Sequence, residues 1–410
     1  MEKTDIAVVG AGVIGLTVAL ALAKAGREVV LIDPNDPGSG CSYGNAGTIA
    51  DYAVQPVGTP DVLRALPRLL FDRTSPLSIR KAAIPTLAPW LWRFAGQSLP
   101  RAARANAHAL AQLLGDAGPR WRDLAAEVGG GDLLQNNGCL YLYKDRAAFR
   151  AAQTDMAMRR TLGVSVDLID GAALAALEPG LPPMAGAAHF AAAMFLTDPG
   201  AMMGHIASAA AAAGVRHLRA HVAGLARTAL AVQLTGDELN LTAQRVVIAA
   251  GAQSKALARM AGDRVPLDTE RGYHAEWDMP LPRLTRPVCV TERGFYLCPM
   301  AGRLRVAGTV ELGGLSAPPS PHRIAKLIEG ARMAFPDLGE PDRTWMGFRP
   351  SIPDSCPVIG ASKARADVIH AFGHGHLGMT LAPVTAALVA GLIAGRGTTI
   401  DLARYSAQRF

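Results

Sequence analysis

The chain has 410 residues, of which 50% are apolar and 18% are charged. This composition excludes disordered, collagen-like and disulfide-stapled proteins, and the length provides for two packed cores. Lysine and arginine number 41 against 34 acidic residues, so the net charge is +7, but no basic run concentrates it. Nucleic-acid binding is therefore not expected, and dispersed arginines attract anionic lipid only weakly.

The five cysteines include no C-x-x-C pair. An odd number without paired spacing argues against a disulfide framework and against a zinc site. The sequence predicts a cytoplasmic protein in a reducing environment, with peripheral attachment to the inner face of a membrane left open. The cysteines are Cys41, Cys139, Cys289, Cys298 and Cys356.

Residues 6–23 are uncharged and almost wholly apolar, which is typical of a signal-peptide core or a short membrane span. Within them, however, Gly10, Gly12 and Gly15 stand at G-x-G-x-x-G spacing. This pattern predicts a strand, a tight turn and a helix, followed by a second strand over residues 28–33. Because the motif begins at residue 10, we expect no room for a cleaved leader.

This arrangement indicates dinucleotide binding. Gly10 permits a sharp turn, Gly12 leaves space for a pyrophosphate, and Gly15 lets the helix pack closely on the strand. The helix amides face the phosphates, and Asp33 accepts hydrogen bonds from a ribose while repelling the 2′-phosphate of NADP. The motif does not separate FAD from NAD. The expected cofactor residues here are Gly10, Gly12, Val13, Ile14, Gly15 and Asp33.

The middle of the chain mixes helical and strand patterns. After short apolar stretches over residues 45–100, helices are predicted over 101–128, 146–162 and 199–213, and strands over 139–143, 215–218 and 245–250. The last strand ends in the small-residue turn 251–254, where backbone can approach a ligand closely. Strand-like pieces at 272–277, 294–299 and 304–308 predict an antiparallel sheet in a second domain.

The C-terminal part repeats the glycine spacing of the N-terminus. A strand over residues 367–372 leads into G-x-G-x-x-G at 373–378 and an apolar helix over 380–394. Two glycine turns would let two helix N-termini converge on one long cofactor, and FAD is long enough to need both. No repeat of 20 to 50 residues is visible, so solenoids and propellers are excluded.

Four motifs now carry a resemblance. They are GAGVIG at 10–15 with Asp33, SYGNAG at 42–47, AAGAQS at 249–254, and GFRP at 347–350 leading to GHGHLGMT at 373–380. With them the chain resembles FAD-dependent amino acid oxidoreductases of the D-amino acid oxidase type, in particular bacterial D-amino acid dehydrogenases. The motifs span nearly the whole chain, and their order and spacing are specific.

The resemblance implies an α/β fold with two domains. A discontinuous Rossmann-like FAD-binding domain would be assembled from residues 1–86, 197–264 and 346–410. An α+β substrate-binding domain, built on an antiparallel sheet, would take residues 87–196 and 265–345.

The resemblance also implies flavin contacts. The Asn-Ala-Gly turn lies beside the isoalloxazine in this family, and the C-terminal turn brings helix amides to the flavin N1 and C2 carbonyl, where they stabilise the anionic reduced flavin. Sarcosine-oxidase-like relatives attach the flavin through a cysteine that is replaced here by Gly347 and Phe348, so we expect non-covalent FAD. The implied contacts are Ser42, Gly44, Asn45, Ala46, Gly47, Ala250, Gly251, Gly375, His376, Leu377, Gly378, Met379 and Thr380.

For the substrate, Arg349 resembles the arginine that clamps the carboxylate in this family, through two parallel hydrogen bonds. Tyr296 matches a tyrosine that helps to bind the same carboxylate. Tyr273 and His274 are further pocket candidates, although a core tyrosine explains the pattern equally well. His376 is the next candidate for a carboxylate contact.

The implied reaction is oxidation of a D-amino acid by hydride transfer from Cα to flavin N5, followed by hydrolysis to a 2-oxo acid and ammonia. Electrons would pass to a quinone or an electron-transfer protein, with oxygen a poor acceptor. Alternatives are a cyclic or N-methyl amino acid such as hydroxyproline, proline or sarcosine, an NAD-linked dehydrogenase, and a membrane protein with spans at 6–23 and 379–395. No metal is predicted, because no acid or cysteine cluster accompanies His374 and His376.

Overall fold

The computed structural model describes residues 2–71 and 77–410. Residues 72–76, part of the predicted cofactor segment 1–86, lie outside the described residues. The helices are α1 (Val13–Lys24), α2 (Pro60–Phe71), α3 (Ile84–Gln97), α4 (Pro100–Leu114), α5 (Ala117–Glu127), α6 (Arg146–Thr161), α7 (Gly171–Leu177), α8 (Pro199–Ala212), α9 (Ser254–Met260), α10 (Pro321–Ala334) and α11 (Gly378–Ile393).

The strands up to the chain's midpoint are β1 (Glu2–Val9), β2 (Val29–Ile32), β3 (Thr48–Ile49), β4 (Leu77–Ile79), β5 (Leu134–Gln135), β6 (Cys139–Tyr143), β7 (Asp167–Asp170), β8 (Gly186–Phe190) and β9 (Met194–Leu196). Those that follow are β10 (Arg216–Leu218), β11 (Gly224–Arg227), β12 (Val232–Gly236), β13 (Leu239–Ile248), β14 (Asp268–Asp278), β15 (Val288–Val290), β16 (Phe295–Met300), β17 (Arg303–Leu312), β18 (Arg343–Ser351), β19 (Val358–Ala361) and β20 (Val368–Phe372).

The first sheet has a parallel centre. Its order is β10-β2-β1-β13-β12-β11, with β20 pairing in parallel with the end of β13 and β19 beyond it. Strand β1 runs parallel to β13 and β2, and Ile6, Ala7 and Val8 at its centre are fully buried. Helices α1 and α11 pack against each other on one face. A strand covered on both faces explains the uninterrupted apolar run in the sequence.

The second sheet is mainly antiparallel. Its order is β18-β14-β17-β16-β15-β6-β8-β7, with β4 pairing in parallel with β17. Helix α10 packs on β14 and β17. A third, small sheet joins β3, β9 and β5. The mixed α/β architecture predicted from the sequence is confirmed.

Sheet membership bears on the predicted domain ranges, which stay a prediction. The first sheet takes its strands from within residues 1–86, 197–264 and 346–410. Strand β4, inside the predicted segment 1–86, pairs instead with the second sheet. Strand β18 belongs to that sheet as well and crosses the predicted boundary at residue 346. The chain therefore enters its last cofactor segment directly from a strand of the second sheet.

Two parts of the helix prediction are wrong. The pattern over residues 101–128 forms two helices, α4 and α5, which are separated at Gly115 and Asp116. Helices α2 and α3 were missed in the stretch 45–100 because their prolines indicated turns. Both helices carry proline near their start, where the missing N–H costs nothing.

The membrane alternative does not agree with the fold. Residues 6–23 divide into β1, a turn and α1, so they are not a continuous span. Among the residues that the structure describes, one helical stretch, Gly375–Ile393, is long and apolar enough to cross a membrane. Most of it is buried against α1 and α5 inside the protein, which is typical of a core helix.

Candidate functional site

A cleft of about 1440 Å³ lies between the ends of the first sheet and one face of the second. Both glycine turns border it, together with the loop after β2 and residues of β14, β16, β17 and β18. Of the predicted site residues, those that line it are Gly10, Gly12, Val13, Ile14, Asp33, Ser42, Gly44, Asn45, Ala46, Ala250, Gly251, Tyr273, Tyr296, Arg349, Gly375, His376, Gly378 and Met379.

The three N-terminal glycines have different surroundings. Gly10 has a φ of 105°, and a Cβ there would lie 2.4 Å from the Ala249 carbonyl oxygen. A Cβ on Gly15 would lie 1.7 Å from the Gly10 carbonyl oxygen, so Gly15 permits helix packing but does not line the cleft. A Cβ on Gly12 would meet only the Ser42 hydroxyl, at 3.5 Å. Gly12 is thus the glycine that keeps the cleft open to a ligand.

Ser42 has a capping role that the sequence did not indicate. Its Oγ accepts a hydrogen bond of 2.9 Å from the Val13 N–H, and α1 has no side-chain cap of its own at Gly12. The other first-turn N–H groups of α1 have no acceptor within the helix, and Ile14 among these residues lines the cleft. Asp33, at the end of β2, accepts hydrogen bonds from Ala11 N and Asn35 N at 2.8 and 2.9 Å. A carboxylate keeps further lone pairs for a ribose.

The loop 39–47 packs against Trp345. A Cβ on Gly44 would lie 2.3 Å from the Trp345 ring. The same ring stacks on His274, with the ring centroids 5.1 Å apart. The His274 ring nitrogen Nδ1 lies 3.1 Å from the Gly44 carbonyl oxygen. His274 therefore supports this loop from outside the cleft lining. Gly47 also lies outside the lining, because its Cβ position is 2.4 Å from the Leu196 carbonyl oxygen.

The C-terminal turn places its histidines differently. His374 is 2% exposed, its Nε2 lies 2.9 Å from Thr385 Oγ1, and burial lowers its pKa to about 3. His376 is exposed to the cleft, where desolvation and the Arg349 charge lower its pKa. In the described chain, no three metal-ligating side chains cluster.

Leu377 and Thr380 are buried and do not line the cleft, although the sequence placed them among the flavin contacts. Thr380 Oγ1 instead accepts a hydrogen bond of 2.9 Å from Ala50 N. Pro383, inside α11, cannot donate to the Met379 carbonyl. Trp121 replaces that donor, because its Nε1 donates to Met379 O at 2.9 Å. Trp121 thus satisfies a carbonyl that the helix itself leaves without a donor.

Arg349 projects from β18 across the face of Gly272, where a Cβ would lie 2.3 Å from the Arg349 nitrogen Nη2. Its Nη1 donates a hydrogen bond of 2.9 Å to the Thr309 carbonyl oxygen. Thr309 belongs to a β-bulge, since Thr309 and Val310 of β17 lie opposite the single residue Gly272 of β14. The bulge gives Thr309 a left-handed φ of 58°, a strained conformation for a β-branched residue. Arg349 is the one arginine or lysine among the described residues that line the cleft.

The hydroxyl groups of the two predicted tyrosines differ in their hydrogen bonds. The Tyr296 hydroxyl lies 3.0 Å from the hydroxyl of Tyr141, which also lines the cleft and which sequence analysis missed. Burial raises the pKa of Tyr296 well above its ordinary value, so the phenol stays protonated. Tyr273 lines the cleft with its ring, but its hydroxyl donates to Glu311 and accepts from Ser320 N. The Tyr273 hydroxyl is therefore engaged by Glu311 and Ser320.

Sequence analysis also missed Glu270 and the position of Cys41. Glu270 is 4% exposed, lines the cleft and lies opposite Arg349 in the β14–β18 pairing. No local signal marks it, because β14 carries other charged residues such as Asp268, Arg271 and Glu276. The Cys41 Sγ donates to Phe348 O at 2.7 Å and accepts from Phe348 N at 2.9 Å. All five cysteines lie in the described part and carry free thiols.

The cleft suits FAD. A glycine turn with open helix amides and an acid at the end of β2 form one end, and a loop of small residues at 44–46 faces Arg349 at the other. These are the groups that hold an adenosine, a pyrophosphate and a planar ring. The residues that would hold FAD are those of the N-terminal glycine turn, Asp33 and the loop 44–46, and the bound cofactor would supply redox chemistry.

Comparisons with known proteins agree with this geometry. The family model described as DAO, FAD dependent oxidoreductase, matches residues 5–392. A D-amino-acid oxidase of Bradyrhizobium diazoefficiens is 34% identical over 100% of this chain and 99% of its own length. A D-amino acid dehydrogenase of Dechloromonas aromatica is 32% identical over 95% of this chain and 97% of its own.

Solved structures extend the similarity to the whole fold. Glycine oxidase from Geobacillus kaustophilus superposes with a TM-score of 0.78 at 25% identity and covers 100% of both chains. L-proline dehydrogenase from P. horikoshii also gives 0.78, at 20% identity over 100% of this chain and 98% of its own, and shows the fold alone.

Proposed function

Because the chain belongs to the DAO family of FAD-dependent oxidoreductases, we propose that it oxidises a D-amino acid to a 2-oxo acid and ammonia. The observation that carries this proposal is Arg349, the one arginine or lysine among the described cleft residues, held opposite the small-residue loop 44–46. The NAD-linked alternative is wrong for a member of this family.

Arg349 would bind the substrate carboxylate. A guanidinium can form two parallel hydrogen bonds with a carboxylate, which fixes the direction of the substrate Cα–H as well as its position. Nη1 is already held by Thr309 O, so the group is oriented before substrate arrives. Because the guanidinium needs no reorganisation when the substrate binds, less binding free energy is lost in orienting it.

Tyr296 and Tyr141 would assist at the same carboxylate. Their hydroxyls are 3.0 Å apart, and burial raises the pKa of Tyr296 well above its ordinary value and that of Tyr141 too. Both phenols therefore stay neutral donors at any working pH. When bound, FAD supplies the hydride acceptor, and the residues of this chain position the substrate and exclude water.

Electron transfer and location are also proposals. We propose a quinone or an electron-transfer protein as acceptor, supported by relatives named D-amino acid dehydrogenase, such as that of Dechloromonas aromatica. Dye reduction faster than peroxide formation is expected, and peroxide formed at the dye-coupled rate would contradict it.

We further propose a cytoplasmic protein that binds membranes peripherally through α3, where Trp92 is 82% exposed. Trp92→Ala should then float less with anionic vesicles, and equal flotation would contradict this.

The proposed substrate is tested by a panel of D- and L-amino acids that includes proline, hydroxyproline and sarcosine. Formation of 2-oxo acid and ammonia is measured in each case with a dye as acceptor. We expect the fastest turnover with a D-amino acid that carries a primary amine. Faster turnover of a cyclic or N-methyl amino acid would replace the proposal with the alternative predicted from the sequence.

A further inference from the structure

Three glutamates are buried in the β14–β17 region, each at most 4% exposed. Glu276 is 2.8 Å from an Arg305 nitrogen and Glu311 is 3.0 Å from an Arg271 nitrogen, so both are neutralised inside the sheet. Glu270 is different. In the described chain, no arginine or lysine nitrogen lies within 4.0 Å of its carboxylate, and it lines the cleft.

Glu270 and Arg349 form a side-by-side pair of opposite charges. They are direct cross-strand partners in β14 and β18, so their side chains leave the same face of the sheet. Arg349 leans over Gly272 towards Thr309 O and therefore turns away from the Glu270 carboxylate. A buried carboxylate without a close partner is costly, and a cationic group entering the cleft would remove that cost.

The surroundings of Glu270 contain few other charges. The groups that act on its carboxylate are the Arg349 guanidinium and the Ser351 hydroxyl, and burial outweighs both, so the pKa of Glu270 is raised. Arg349 itself is influenced by the Cys41 thiol and influences His376. The Ser351 hydroxyl is buried and has no hydrogen-bond partner among the described residues.

We propose that Glu270 binds the protonated amine of the substrate while Arg349 binds its carboxylate, so that the cleft recognises an amino acid as a zwitterion. The Glu270 carboxylate then takes one proton from this amine before hydride leaves Cα, because an ammonium group has no lone pair with which to form the imine. This inference rests on the proposed function and narrows its substrate class. Substrates would need a basic amine, primary or in a ring, next to the carboxylate. N-acyl amino acids and 2-hydroxy acids would be rejected, because they leave the Glu270 charge unmatched.

Two matched probes distinguish binding of the amine from binding of the carboxylate. 2-Aminoisobutyrate is a zwitterion without a hydrogen on Cα, so it binds without being oxidised, and isobutyrate is the same molecule without the amine. Dissociation constants of both are measured from the change in flavin absorbance of the holoenzyme. The unchanged protein should bind 2-aminoisobutyrate more tightly than isobutyrate, and the reverse order would overturn the proposal.

In Glu270→Gln the two probes should respond in opposite directions. Binding of 2-aminoisobutyrate should weaken by roughly ten- to one-hundred-fold, while isobutyrate binds equally well or more tightly because a neighbouring negative charge is gone. Glu270→Asp, which keeps the charge, should retain the preference for the zwitterion. Parallel weakening of both probes would make Glu270 a structural residue and overturn the proposal.

Asp268→Asn is the matched control. Asp268 lies two residues earlier on the same face of β14 and outside the cleft lining, so this variant should bind both probes normally. FAD content and melting temperature of each variant are measured alongside. If the unchanged protein oxidises no amino acid, the proposed function fails. If it oxidises amino acids but Glu270→Gln binds both probes normally, only the role of Glu270 fails.

Discussion

The Thr309 carbonyl oxygen accepts a hydrogen bond of 2.9 Å from Arg349 Nη1, and Thr309 does so from a left-handed backbone conformation. That conformation costs a non-glycine residue of order 1–3 kcal/mol and is maintained by the bulge in β17. The strain thus serves to fix a guanidinium that the second sheet presents to the cleft. The second sheet thus supplies the residue proposed to bind the substrate carboxylate.

Replacing Arg349 tests this anchor. Truncating a buried charge-assisted pair costs about 2–5 kcal/mol, so Arg349→Ala should lower kcat/KM for amino acids by about thirty-fold to several thousand-fold. Arg349→Lys should recover only part of the loss, because an ammonium lacks the planar fork. Steady-state kinetics with a dye acceptor measure both. FAD should remain bound in both variants.

The control for Arg349 is Arg343→Ala, on the same strand but exposed and outside the cleft lining. It should leave kcat/KM near normal. Normal kinetics in Arg349→Ala, or loss of its flavin, would make Arg349 a structural residue.

The attachment of FAD gives a second prediction. Acid precipitation should release FAD into solution, as expected for a chain with glycine and phenylalanine at 347 and 348. The structure adds a thiol there, since Cys41 is hydrogen-bonded to the Phe348 backbone. Cys41 is exposed, but its Sγ is engaged by these two hydrogen bonds. Yellow colour in the pellet that disappears in Cys41→Ser would show a covalent link and contradict the prediction.

Trp121 should stabilise the protein through α11. In Trp121→Phe the Met379 carbonyl loses its donor and Pro383 cannot supply one. An unsatisfied buried carbonyl costs about 1–3 kcal/mol, and the smaller ring adds a cavity. Denaturant unfolding should therefore show at least this loss in the free energy of unfolding. Trp92→Phe, at an exposed position, should change it little; equal losses in the two variants would refute this role.

His374 makes stability depend on pH. Its folded pKa of about 3 lies below the ordinary value of 6.5, so between these values the unfolded chain binds a proton that the folded chain does not. Stability is therefore full above pH 6.5 and falls below it, by about 1.4 kcal/mol per pH unit from this residue. His374→Gln should show a shallower decline in unfolding free energy from pH 6.5 to 5. Parallel declines would show that His374 does not carry the effect.

Local patterns in the sequence predicted residues that lie together at one end of the cleft. The N-terminal glycines and Asp33 belong to one strand–turn–helix–strand unit, and the Asp33 carboxylate accepts a hydrogen bond from Ala11 N. The space beside Gly15 is limited by Gly10 within the same turn, whereas that beside Gly10 is limited by Ala249 after β13. Gly15, Gly47, Leu377 and Thr380 lie outside the cleft lining, and the last two are buried at the start of α11, which is itself buried on nearly every side.

The substrate end could not be read in the same way. The bulge at Thr309 depends on the register of β14 against β17, and the proximity of Glu270 to Arg349 depends on the pairing of β14 with β18. Neither register follows from the pattern of one strand. The close approach of Gly44 to the Trp345 ring likewise joins residues about 300 positions apart. Long-range pairing therefore decides this part of the site.

The central claim is hydride transfer from the Cα of a D-amino acid to FAD in this cleft. Anaerobic mixing of the holoenzyme with D-alanine, Cα-deuterated D-alanine and L-alanine, while flavin absorbance is followed, tests it most directly. Bleaching with D-alanine that is slower with the deuterated substrate and absent with L-alanine is the predicted result. Bleaching by L-alanine alone, or no bleaching by any amino acid of either configuration, would contradict the claim.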